Sequence, residues 1–66
     1  MKHFISMVTA QGMEIYIDVS RICAFCFDKE KKLTIVFVSI GTVESAFEFP
    51  GNYLEPIKKA IDELEG

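Results

Sequence analysis

The chain has a single histidine, two cysteines, two prolines and no tryptophan among its 66 residues. One histidine, His3, excludes a local His pair and leaves no evident Ser-His-Asp set for general-base catalysis. Two cysteines and that histidine fall short of the roughly four ligands that a structural zinc site takes. The four glycines, Gly12, Gly41, Gly51 and Gly66, stand singly, so there is no glycine-rich phosphate loop. No apolar run approaches the roughly 18 residues of a membrane-crossing helix. Met1-Lys2-His3-Phe4 lacks the long apolar stretch and small-residue cleavage site of a signal peptide, so a soluble, cytoplasmic protein without a membrane partner is expected. Positive charge is also scarce: seven basic side chains face ten acidic ones, a net charge of −3. The imbalance lies in residues 42–66, with two basic and six acidic side chains, whereas residues 1–41 hold five and four. An acidic protein repels a phosphate backbone, which argues against duplex nucleic acid as a partner.

What is abundant is apolar surface. Half of the residues are apolar, at the upper end of the usual range of about 45–50%, which excludes disorder. A chain this short forms one domain and buries only about 60% of the surface its unfolded form exposes. Much apolar surface therefore meets a small interior.

The periodicity predicts five strands and one helix. Residues 3–9 form a short apolar run ending at the turn Ala10-Gln11-Gly12. In residues 13–19, Met13, Ile15, Ile17 and Val19 alternate with Glu14, Tyr16 and Asp18, the period of a strand with one buried face. Residues 21–28 and 33–40 are two apolar runs joined by a charged loop, and read as an antiparallel hairpin with Asp28 opposite Leu33. Residues 42–49 alternate again after Gly41. Beyond Pro50-Gly51 the period changes: Leu54, Ile57, Ile61 and Leu64 share one face of a helix spanning about 53–65. Asn52 is its expected N-cap, with Glu55 three residues on and Pro56 in the first turn. The expected fold is α+β: a five-stranded antiparallel meander or partial barrel with the helix on one face.

The central hairpin carries the surplus. In the expected register one face presents Ile22, Ala24, Cys26, Ile35 and Phe37, and the other Cys23, Phe25, Phe27, Val36 and Val38. Both faces are apolar, so each needs a cover. The helix supplies one cover; the other is either the chain's own outer strands, if the sheet curls into a partial barrel, or a second copy of the chain, with Cys23, Phe25, Phe27, Val36 and Val38 as the expected interface. Small chains often gather enough core only by oligomerising.

Candidate chemistry is sparse. Cys23-Ala24-Phe25-Cys26 is a C-x-x-C, but in a strand its two side chains point to opposite faces and cannot easily share a disulfide or a metal. Both thiols are expected to be small buried apolar groups. His3 reads as a solvated terminal residue. Glu44 and Glu48 lie about 13 Å apart along one strand, farther than the roughly 5–9.5 Å of paired catalytic carboxylates. No catalytic residue, metal site or cofactor is expected, and the chain reads as no enzyme. The basic tip Lys29, Lys31 and Lys32, interrupted by Glu30, reads as a solvated turn.

The order of elements, the turn glycine Gly12 before Glu14-Ile15-Tyr16-Ile17, Ile22, Thr34-Ile35-Val36 and the terminal helix resemble the small flagellar FlbD-like proteins. The resemblance covers most of the chain and implies a similar fold, with no catalytic residues to carry over. The chain departs from that pattern in Cys23 and Cys26, in its longer charged loop and in the acidic strand Thr42–Phe49.

The expected function is a non-enzymatic, self-associating binding module that acts as a regulator, adaptor or inhibitor through protein contacts. One alternative is a protein that sequesters a small anionic, nucleotide-like signal in a pocket between subunits. There Tyr16, Phe25, Phe27 and Tyr53 would stack on a base, and Arg21, Lys58 and Lys59 would meet a phosphate. Another is a structural subunit of a larger assembly.

Overall fold

The computed structural model describes residues 3–65; Met1 and Lys2, which open the leader argument, and Gly66 lie outside it. The described chain runs β1 (Phe4–Val8), β2 (Glu14–Asp18), a 3-10 turn (Val19–Arg21), β3 (Ile22–Asp28), β4 (Leu33–Ile40), β5 (Val43–Pro50) and α1 (Leu54–Glu65). The α+β class and the order of elements agree with the sequence reading. The single five-stranded sheet does not: β1 and β2 form one antiparallel sheet and β3, β4 and β5 another. The cause is local. One carboxylate oxygen of Asp18 accepts both the Ser20 N–H, at 3.0 Å, and the Ser20 hydroxyl, at 2.7 Å. This cap starts the 3-10 turn, which carries the chain out of the first sheet before β3 begins.

The hairpin β3–β4 has the expected register, with Asp28 opposite Leu33. Its first residues do not, because a bulge separates Ile22, opposite Val38, from Ala24, opposite Phe37. The extra residue breaks the alternation. Ile22 therefore packs on the core, and Cys23 is exposed. The inner face of the three-stranded sheet includes Ile22, Phe25, Val36, Val38, Phe47 and Phe49. The hairpin β1–β2, through Met7 and Ile17, and the helix, through Ile57, close over it.

Val36 and Val38 are thus core residues of the single chain, at 0% and 5% exposure, and Phe25 is half-buried against them. Phe27 follows on the same face, opposite Thr34. Three of the five expected interface residues, Phe25, Val36 and Val38, pack in or against the intramolecular core, because the outer strands supply one of the two covers expected from the sequence.

The helix is joined to the sheet by a small polar lock. Thr34 is fully buried, and its hydroxyl donates to the Gly51 carbonyl at 2.6 Å and accepts the Tyr53 N–H at 2.9 Å. Gly51 has φ +104°, a left-handed conformation that favours glycine. Asn52 Oδ1 accepts the Leu54 N–H at 3.0 Å, the expected capping bond. Ile57 is fully buried, Ile61 packs on the core edge, and Leu64 is exposed.

Candidate functional site

Two surfaces are candidates, and neither contains a catalytic constellation. The first is the outer face of the three-stranded sheet. Register places Ala24, Phe37 and Ala46 in one row across β3, β4 and β5, and Cys26, Ile35 and Glu48 in the next. Phe37 and Ile35 are half-buried by their neighbours but lie outside the core cluster. Ala24, Cys26 and Ala46 beside them are exposed, as are Glu44 and Glu48. The face is a ridge of large side chains flanked by small ones, with carboxylates along β5. Among the described residues no strand or helix lies across it, and the β1–β2 turn, through Thr9 and Gln11, borders it at Ala46 and Glu48.

The second surface is a cleft of about 410 Å³ where the inner face outruns its cover. Thr34, Val36, Val38 and Ile40 alternate along the inner face of β4, and the first three are buried while Ile40 is 55% exposed. Ile40, Val38 and Phe47 form one side of the cleft, and the neighbouring hairpin supplies Ile15, Ile17, Phe4 and Tyr16. Phe4 and Tyr16 are 57% and 66% exposed. Four consecutive residues of β2, Ile15 to Asp18, line the cleft, which therefore follows the edge of β2 that, among the described residues, pairs with no strand.

Asp18 and Arg21 form the polar end. Arg21 Nε stands 3.7 Å from Asp18 Oδ2, beyond the roughly 2.7–2.9 Å of a charge-assisted hydrogen bond. The Arg21 side chain is 50% exposed and that of Asp18 only 12%. The cation is the half of this pair that solvent meets. The Tyr16 hydroxyl donates to Glu14 Oε1 at 3.2 Å, away from the guanidinium.

Of the five residues expected to bind a ligand, the structure brings Tyr16 and Arg21 to this cleft and leaves three elsewhere. Tyr53 packs its ring edge-on against Phe49, with centroids 6.4 Å apart at 73°. Lys58 lies by Glu55, with Nζ 3.7 Å from Oε2, and Lys59 is exposed on the same helix. Phe25 and Phe27 lie on the inner face of the sheet and do not line this cleft. Phe4, Ile40 and Phe47 were not singled out from the sequence. The alternation that assigns Val38 inward assigns Ile40 inward too, and only the length of the covering hairpin leaves it bare.

Cys23 and Cys26 are both free and exposed rather than buried. The bulge turns Cys23 outward, and its Sγ lies 3.8 Å from the Arg21 carbonyl oxygen. His3 is exposed, and its carbonyl accepts the Val19 N–H at 2.9 Å. Among the described residues no three His, Cys, Asp or Glu side chains gather as metal ligands would, and no helix is long and apolar enough to cross a membrane.

No family model matches the chain, and neither a curated protein nor a solved structure matches it significantly.

Proposed function

We propose that the protein is a non-enzymatic binding module that associates with a second copy of itself through the outer face of β3–β4–β5 and acts through contacts rather than catalysis. The row Ala24–Phe37–Ala46 carries this reading. Phe37 stands between two small residues, so one face holds both a projecting ring and the shallow sites to receive one. A patch that contacts its own copy around a two-fold axis must be self-complementary in this way. Sheets packed face to face lie about 10 Å apart, with their side chains interdigitated. Glu44 and Glu48 border the patch on β5, as a charged rim borders an apolar interface core. A partner layer would give the domain the second cover that its small interior lacks.

Sedimentation velocity over a range of chain concentrations tests the reading. The native chain is expected to pass from monomer to dimer, and Phe37→Glu to remain monomeric with an unchanged circular dichroism spectrum. A native chain that stays monomeric up to NMR concentrations would overturn it, as would a Phe37→Glu chain that is folded and still dimeric.

A further inference from the structure

We infer that the cleft between the β2 edge and the end of β4 binds a small aryl acid, a flat apolar body carrying one carboxylate. This goes beyond the proposed self-association and involves none of the outer-face residues. The volume of about 410 Å³ falls within the roughly 300–1,000 Å³ typical of small-ligand sites. The lining is apolar with one polar end, the composition such sites share. Phe4, Tyr16 and Phe47 offer ring faces and edges to an aromatic body, which offset and edge-on contacts favour.

The charge of the ligand follows from the arrangement at the polar end. One oxygen of Asp18 is occupied by the Ser20 N–H and hydroxyl, and its side chain is largely covered. Arg21 Nε approaches Asp18 at 3.7 Å, and the Arg21 side chain is half exposed. Its two terminal nitrogens make no hydrogen bond among the described residues. A guanidinium presents planar paired donors that match a carboxylate. A molecule lying along Ile40 and Tyr16 would therefore meet the half-exposed Arg21 guanidinium at that end, with the largely covered Asp18 carboxylate beside it.

A second copy is a poor occupant of the same edge. Two β2 edges paired antiparallel about Tyr16 would set Glu14 of each against Asp18 of the other. Like charges directly opposite disfavour such pairing and protect an edge from self-addition. The cleft is open to a small molecule and guarded against its own kind.

The test uses 2-naphthoate and its neutral analogue 2-naphthylmethanol, titrated into the full chain and followed by amide chemical shifts. Naphthoate is expected to bind one site per chain and to shift Ile15, Tyr16, Val38 and Ile40. The alcohol should bind roughly tenfold more weakly, the size expected for one charge-assisted contact. Arg21→Gln should bring the affinities for acid and alcohol to within about twofold of each other, a loss of preference that a folding defect, which weakens both alike, would not produce. Phe37→Glu should alter neither affinity, which separates this site from the dimer face. Equal binding of acid and alcohol by the native chain, shifts confined to another surface, or no saturable binding would each overturn the inference.

Discussion

The Thr34 hydroxyl donates to the Gly51 carbonyl 2.6 Å away, across seventeen positions of the chain. The same oxygen accepts the Tyr53 N–H, and Gly51 in turn donates its N–H to the Lys32 carbonyl at 2.9 Å. One buried side chain thus fixes the turn that delivers the helix. Replacing Thr34 with valine keeps the shape and strands two backbone groups, at a cost of about 1–3 kcal/mol. Thermal unfolding should show a midpoint lower by roughly 4–8 °C for each kcal/mol. Thr34→Ser, which keeps the hydroxyl, should retain more of the stability than valine does.

Lys32 carries φ +56°, the one left-handed non-glycine residue among those described. It follows a loop in which Asp28 Oδ1 accepts the N–H groups of Glu30 and Lys31 at 3.0 and 3.2 Å. The loop geometry imposes the strain, and the Lys32 side chain is exposed. Lys32→Gly is expected to raise stability by up to about 1 kcal/mol, the strain of the left-handed conformation less the added freedom of the unfolded chain. Urea titration monitored by circular dichroism measures the gain.

Ile57 is the helix's fully buried anchor. Truncation to alanine should cost about 2–5 kcal/mol. A domain of this size has a total stability of roughly 3–10 kcal/mol, so this single change should leave much of the protein unfolded near body temperature. Amide spectra that remain dispersed and a melting point within a few degrees of native would contradict that placement. By contrast, Lys58→Ala removes only an exposed pair 3.7 Å long and should change stability by less than about 0.5 kcal/mol.

The two thiols provide a probe that needs no mutation. Both are exposed in the single chain, but Cys26 shares a row with Ile35 on the outer face, whereas Cys23 sits at the bulge. If copies pack through that face, Cys26 should react several-fold more slowly with a maleimide as concentration rises, while Cys23 stays constant. Mass mapping of the labelled peptides separates the two.

Much of the fold was legible because its signals are local. The alternation of Ile15, Ile17 and Val19, the Asp28–Leu33 pairing and the Asn52 cap each depend on residues close in sequence. The division into two sheets was not legible from periodicity, since it turns on one carboxylate of Asp18 bending the chain after β2. Which face of the hairpin is covered was equally hidden: Val36 and Phe37 are both apolar, and only tertiary packing tells them apart. Within the cleft, Tyr16 and Arg21 could be named from residue type alone. Phe4, Ile40 and Phe47 could not, because their role comes from where the neighbouring hairpin stops.

The bulge at Cys23 acts as a spare half-step in the chain. Ile22 and Phe25 are three residues apart and yet both face inward, which a regular strand forbids. Removing Cys23 would restore an even count, and one side of the junction would then have to turn its apolar residues to water. The fold can keep Ile22 on the inner face, or Phe25 and Phe27 on it, but holds both only through that extra residue. The thiol itself is incidental at this position; the length of backbone it supplies is what the domain uses, so serine or alanine should serve there and a deletion should not.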